Sequence, residues 1–445
     1  MTARFTSQSL LVCVPEAKSL CPQHLNLYDP NSRRSSGYCV SIDASNRAPV
    51  NQQVGGVRSF LPAVEGLRAC AAIGVVVTHV AFQTGHSTGI SGRLWSRFDM
   101  AVAVFFALSG FLLWRGHAAA ARGLRPAPPA GHYLRSRVVR IMPAYLVSVL
   151  VILSLLPDAG GGSLTVWLAN LTMTQIYVPL TLTPGLTQMW SLAVEVSFYI
   201  AVPVLALTAR RLPVRARVLA IVAVALLSLA WGFLPIHTPY GVNPLNWAPA
   251  YGCWFGAGMV LAEWAYSPIG PVHRLARRRL PMIAVILIAY LVAASPLAGP
   301  EGLTSATVGQ FIVRTAMGGV LAWALLAPLV LDRPDTAHRF LSSPPLVTLG
   351  RWSYGIFIWH LAALDMVFPV LGRFAFSGDM AVVLALTLVF TVAIAAVSYA
   401  LVEQPCREKL RGWETRHRTA DSDTAQAALP DGVYSAASLV NSGVP

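Results

Sequence analysis

Long apolar runs separated by short polar stretches recur along most of the chain, from about residue 69 to about residue 400. Each is close to the roughly 17–25 residues with which an α-helix crosses a hydrocarbon core of ~30 Å. The pattern predicts ten spans, at 69–86, 99–116, 138–156, 189–208, 216–235, 246–265, 281–298, 306–330, 347–370 and 379–400. Helices are expected because open strands would leave backbone groups unpaired in lipid. The predicted fold class is therefore all-α, a polytopic transmembrane helical bundle. Residues 1–57 are polar and contain neither a spanning run nor the charged, apolar and small-residue progression of a signal peptide. They are expected to form a disordered cytoplasmic extension, unless translation starts nearer Val54. Residues 58–405 make the membrane domain, and 406–445 a polar cytoplasmic tail, mostly disordered.

Arginines in the loops orient the bundle. Placing the N-terminus inside puts Arg115, Arg122, Arg125, Arg135, Arg137 and Arg140 in the first inner region, and Arg210, Arg211, Arg215 and Arg217 in the next. Arg274, Arg277, Arg278 and Arg279 follow, then Arg333, Arg339 and Arg351, whereas the outer loops hold only Arg93, Arg97 and Arg373. This positive-inside bias implies an even number of spans with both termini cytoplasmic. The outer stretch from Pro157 to Gln188 is long and moderately apolar; it reads either as an interfacial or re-entrant segment or as a surface loop with a short helix.

Composition agrees with lipid burial. Of the 445 residues 55% are hydrophobic and 12% charged, about half the charge of a soluble domain. The net charge of +14 is accounted for by basic loops facing anionic lipid, without nucleic acid. The six cysteines are scattered with no metal-ligand spacing, so no metal and no tightly bound cofactor is expected.

Ionisable groups inside spans are costly and ask for a partner or a role. Arg68 and His79 stand eleven residues apart, about three helical turns, so they share one face about 16 Å apart along the axis. Glu195 in the fourth span and His360 in the ninth reach depths similar to that of His79. Together they suggest a polar passage between helices, with Arg68 at its inner mouth suited to a phosphate group. Arg137 and Arg140 either add to that anion site or serve as positive-inside anchors. An imidazole can accept a proton near neutral pH, and a carboxylate can orient it.

Ordered along these spans are Glu65-Gly66-Leu67-Arg68 with His79, Phe105-Phe106-Ala107-Leu108-Ser109-Gly110-Phe111, and Arg137-Val138-Val139-Arg140-Ile141-Met142-Pro143. Trp190-Ser191-Leu192-Ala193-Val194-Glu195 with Phe198-Tyr199, Tyr354-Gly355-Ile356-Phe357 with His360, and Glu403-Gln404-Pro405 complete the set. In these motifs, from roughly Leu61 to Arg407, the chain resembles the acyltransferase-3 family of integral membrane O-acyltransferases. The resemblance implies transfer of an acyl group, often acetyl, from cytoplasmic acyl-coenzyme A to a hydroxyl of a cell-envelope glycan, glycolipid or related glycoside, in the plasma (inner) membrane. It also implies that Arg68 and His79 are needed for activity and that Arg137 and Arg140 help engage the donor. Placement within the spans makes His79 and Glu195 the candidate catalytic pair, Arg68 a donor-binding group, and Ser109, Trp190, Tyr199, Tyr354 and His360 candidate lining of the site. Ser109 and the Trp190 indole are candidate oxyanion donors, Glu195 orients His79 or binds the acceptor, and direct transfer and an acyl-histidine intermediate both stay open. The hydrolase-like domain that some members append is not expected in so short a tail. The competing readings are a proton-coupled transporter, which also needs intramembrane acid–base groups, and a non-enzymatic scaffold.

Overall fold

The computed structural model of the chain describes residues 10–13, 39–42 and 61–427, apart from 158, 160, 161, 301–305, 334, 335 and 337. Two units divide at Gly56. In the first, β1 (Leu10–Cys13) pairs antiparallel with β2 (Cys39–Ile42), Leu10 opposite Ile42. The disorder expected of the remainder of that extension, and of the tail after residue 427, falls outside the described residues.

Among the described residues, the regular elements of the second unit are all helical. It comprises α1 (Pro62–Gln83), α2 (Gly89–Ser96), α3 (Ala101–Ala120), α4 (Ala130–Leu155), α5 (Leu164–Leu171), α6 (Trp190–Ala209) and α7 (Val214–Ser228). There follow α8 (Gly252–Trp264), α9 (Pro271–Ala276), α10 (Arg279–Ala294), α11 (Val308–Leu331), α12 (Pro344–Val370), α13 (Met380–Ser398) and α14 (Gln404–Ala427). Among the described residues, eight helical stretches are long and apolar enough to cross a bilayer: Pro62–Gln83, Gly89–Ala120, Ala130–Leu155, Thr187–Ala209, Val214–Phe233, Val308–Leu331, Pro344–Val370 and Met380–His417. The chain is an all-α, multi-pass membrane bundle.

The other two expected spans are shorter than their apolar runs. The segment 246–265 becomes α8, of 13 residues, because Pro244 and Pro249 hold the preceding chain in 3₁₀ turns. The segment 281–298 becomes α10, of 16 residues, which ends where Ser295-Pro296 turns the chain. Helix α8 lies inside the bundle, with Leu261, Ala262 and Glu263 fully buried.

Between α4 and α6 the long stretch resolves as a loop carrying the eight-residue α5, capped by Ser163. Asn170 ties the loop together, its amide donating to the carbonyls of Val166 and Thr181 while its own carbonyl accepts from the Tyr145 hydroxyl at 2.6 Å. The tail departs from expectation. A π turn, Tyr399–Glu403, leads directly from α13 into α14, which runs to Ala427. This helix is supported from both its own surface and a neighbour. Arg407 pairs with Glu403 one turn back at 3.0 Å, Trp413 packs under the Arg135 guanidinium of α4 at 4.5 Å, and Glu414 meets His132 at 3.1 Å.

Lipid offers no hydrophobic force to press helices together, so close packing has to come from small residues. Two helix pairs use it reciprocally. A Cβ on Gly110 of α3 would overlap the Phe255 carbonyl of α8, and one on Gly258 of α8 would overlap the Ala107 carbonyl of α3. A Cβ on Gly66 of α1 would strike the Leu341 carbonyl that precedes α12, and one on Gly350 of α12 the Glu65 carbonyl of α1. At one end of the α3–α8 pair, Glu263, 0% exposed, accepts from the Trp114 indole at 2.8 Å, from Arg122 at 2.7 Å and from both Nε and a terminal nitrogen of Arg217 at 2.6 and 2.8 Å. One carboxylate thereby joins α3, α7 and α8 and the chain just after α3.

Two variants test these contacts. Gly258→Val should lower stability by about 3 kcal/mol through overpacking, whereas Gly131→Ala, where an added Cβ meets nothing within 4 Å, should change it by less than about 0.5 kcal/mol; thermal unfolding in detergent reads the difference. Glu263→Gln, which leaves two buried guanidinium groups facing a neutral amide, should cost about 3 kcal/mol or more. Unchanged melting of that variant would dismiss the cluster as a support.

Candidate active site

The polar residues predicted on separate spans converge. A cavity of about 760 Å³, counting its open mouth, is lined by Arg68 of α1, Ser109 of α3, Arg137 and Arg140 of α4, Glu195 and Tyr199 of α6, and Tyr354 of α12. Local helix geometry explains each group. Arg137 and Arg140 are three residues apart and share a face, as do Glu195 and Tyr199, four apart. The two hydroxyls of Ser109 and Tyr199 both donate to the same Glu195 oxygen, Oε1. Arg68 sits 3.8 Å from Glu65, one turn back on α1. The Tyr354 hydroxyl donates to the Ile141 carbonyl at 2.8 Å, fixing α12 against the arginine-bearing helix.

Three guanidinium groups thus line a space in which the facing carboxylate is Glu195. An excess of fixed positive charge in a partly enclosed site of low dielectric is suited to an anion, and arginine forks match phosphate or carboxylate oxygens.

His79 lies beyond this cavity. Its ring sits 5.1 Å from that of His360 of α12, at an interplanar angle of 44°. His360 is fully buried; its Nδ1 lies 2.7 Å from the Phe357 carbonyl, and its Nε2 has no hydrogen-bond partner. Phe357 connects the two places. It lines the cavity, its ring is 5.9 Å from His360, and Phe105 of α3 crosses it edge-on at 6.2 Å. Further along the same two helices, the Gln83 amide donates to Asp365 at 3.4 Å. Polar side chains thus recur along the α1–α12 pair from Arg68 and Tyr354 to the imidazole pair and on to Gln83 and Asp365, with Phe105 and Phe357 between the cavity and the imidazoles.

Most of the expected set is gathered here, with three rearrangements. Glu195 is held by Ser109 and Tyr199, so the ring beside His79 is an imidazole and the carboxylate belongs to the arginine cavity. Ser109 spends its proton on Glu195, which removes it as a ready oxyanion donor. Trp190 is outside the cavity lining, its ring packed on Tyr251 at 5.3 Å. Phe105 and Phe357, legible only as members of motifs, and Ser353, part of none, also line the cavity. Ser353 is fully buried and lines the cavity with its hydroxyl unpartnered. The signal for it was its spacing, since residues 353, 357 and 360 lie on one face of a helix. Glu403 was legible only as part of a motif. It is 1% exposed at the π turn, pairs with Arg407, and its charge also acts on Arg140 and Arg68. Among the described residues no group of three or more His, Cys, Asp and Glu side chains is placed to hold a metal ion.

The fold and cavity define a multi-pass membrane protein with an arginine-lined cavity between its helices. Residues 61–402 match the family described as the acyltransferase domain, and the chain belongs to this acyltransferase-3 family. It is 28% identical over 375 residues to the acyltransferase MdmB of Streptomyces mycarofaciens, covering 79% of this chain and 92% of that protein. The peptidoglycan O-acetyltransferase OatA of Listeria monocytogenes is 23% identical over 380 residues, 79% of this chain and 56% of that protein. The O-acetyltransferase OatA of Staphylococcus aureus is 24% identical over 379 residues, 79% of this chain and 58% of that protein. The chain thus spans nearly all of MdmB and little more than half of either OatA. No solved structure matches it significantly. Membership makes the chain a membrane-bound O-acyltransferase and decides against the transporter and scaffold readings.

Proposed function

We propose that the protein transfers an acyl group, acetyl in the first instance, from cytoplasmic acyl-coenzyme A to a hydroxyl of a cell-envelope glycan, glycolipid or related glycoside. The carrying observation is the cavity in which Arg68, Arg137 and Arg140 gather around the Ser109–Glu195–Tyr199 cluster, with Phe357 in its lining packed on His360 and His360 on His79. The reading is supported by the relatives, two of which are O-acetyltransferases by name, one of them acting on peptidoglycan. It takes all ten apolar segments as spans or membrane-embedded helices, with both termini on the cytoplasmic side and the bundle in the plasma membrane.

In this mechanism the arginines bind the anionic donor, and its acylated arm reaches past Phe105 and Phe357. His79 removes the proton of the acceptor hydroxyl as the oxygen attacks the thioester carbonyl carbon. The tetrahedral intermediate collapses with loss of the C–S bond, and protonated His79 returns its proton to the departing thiolate. His360, its Nδ1 engaged with the Phe357 carbonyl, offers Nε2 as a partner that positions the His79 ring. Glu195, held by two hydroxyls, balances one of the three guanidinium charges and keeps the cavity open to a donor. The acceptor enters from the side of Gln83 and Asp365.

His79→Ala should abolish acylation while the protein remains at normal abundance in the membrane, with mass spectrometry of envelope glycans and glycolipids as the readout. Product at near-normal levels would eliminate His79 as the base. Arg68→Lys should raise the apparent KM for acyl-coenzyme A by about tenfold, since an ammonium replaces a bidentate fork, and leave the apparent KM for acceptor close to its original value. A donor dependence identical to that of the unaltered protein would make Arg68 a helix anchor only.

A further inference from the structure

The arginine cavity has a side chamber that the mechanism above does not use. Leu112, Leu113 and Arg137 line both the cavity and an adjoining recess of about 740 Å³, counting its open mouth. The recess adds Arg115 at the end of α3, Arg125 and Pro128 in the loop before α4, Tyr133 on α4 and Tyr266 after α8. It is therefore walled by three arginines and two tyrosines, with no acidic side chain among its lining residues. Two polar atoms there are buried without partners: Nε of Arg137 and the hydroxyl of Tyr133, a residue only 8% exposed. Burying such groups unpaired is costly, and a ligand that pairs them recovers the cost.

We infer that this recess seats the nucleotide half of the donor, its 3′-phosphate against Arg115 and Arg125, its diphosphate at Arg137 leading towards Arg68 and Arg140, and its base between Tyr133, Tyr266 and Pro128. The inference rests on the acyl-coenzyme A reading of the cavity and assigns the part of the donor that the Arg68 cavity leaves over. The chemistry of the walls matches it: guanidinium forks pair phosphate oxygens, and tyrosine and proline faces stack on a planar base. The continuity through Arg137 gives the geometry a direction. A long flexible arm leaving the recess at Leu112 and Leu113 enters the Arg68 cavity with its acyl end leading toward Phe357. An anionic lipid headgroup shares the phosphate chemistry but has no base for the tyrosine faces and no need of the passage beyond them.

The test uses the full-length protein in nanodiscs and two thioester donors, acetyl-coenzyme A and S-acetylpantetheine, which lacks the nucleotide. The double variant Arg115→Gln/Arg125→Gln should reduce the ratio of kcat/KM for the first donor to that for the second by about tenfold or more. An unchanged ratio overturns the assignment. A readout independent of turnover covers a variant that folds poorly: Pro128→Cys alone should be alkylated by a maleimide, followed at that peptide by mass spectrometry, and adenosine 3′,5′-bisphosphate should slow the labelling. Labelling indifferent to the nucleotide, or sensitive only to the phosphatidylglycerol content of the nanodisc, overturns it in favour of an empty or lipid-filled recess. Protection by the nucleotide in a protein that consumes no acetyl-coenzyme A would keep the seat and defeat the proposed reaction instead.

Discussion

The structure depends on two helix pairs whose backbones touch. Between α3 and α8, and between α1 and the entry to α12, each helix presents a glycine to a carbonyl of the other. These contacts set interhelical distance more tightly than side chains would, because nothing softer than a peptide group lies between the axes. Everything chemical follows from the spacing they impose. Helix α1 carries Arg68 and His79, α3 carries Ser109 and Phe105, and α12 carries Tyr354, Phe357 and His360. Shifting either pair by the width of one methyl group would move those side chains relative to one another by a distance that matters for a hydrogen bond.

The bundle keeps its charges and its imidazoles in different compartments. The arginines gather with Glu195 in a cavity that opens to the surroundings, whereas the two histidines are pressed together among apolar neighbours behind a pair of phenylalanine rings. The separation is physically sensible for acyl transfer. An anionic donor needs cations and water at its entrance, but a thioester about to be attacked is best kept from water, and a base works best where it does not stay protonated. Phe357 touches both compartments, which makes it the boundary between the arginine cavity and the imidazole pair.

Much of this was legible in the chain. Spanning length follows from lipid thickness, and the shared face of Arg68 and His79 from helical pitch. The convergence of Arg68, Arg137, Arg140, Glu195 and Tyr199 was readable as motifs on successive spans. What the sequence could not reveal was helix rotation. Glu195 and His79 read as similar in depth, yet the packing of α6 against α3 brings the carboxylate to Ser109 and into the cavity with Arg68, away from His79. Local breaks were equally hidden, since apolar content continues through Pro249 and Ser295-Pro296 while the helices of α8 and α10 do not. The tail reads as polar and irregular by composition, yet Trp413 and Glu414 find partners on α4 that no local pattern announces.

That last contact couples distant parts of the chain. Helix α13 passes through the π turn into α14 without a loop, and α14 is stapled by Trp413 and Glu414 to the beginning of α4, two turns before Arg140. The first turns of the arginine helix are thus splinted from outside by the end of the chain. A splint of this kind transmits tilt: α4 cannot lean without bending the last membrane helix at its wide turn, where Glu403 is buried. Helix α14 is in this sense a brace on the helix that carries Arg137 and Arg140, applied from late in the sequence.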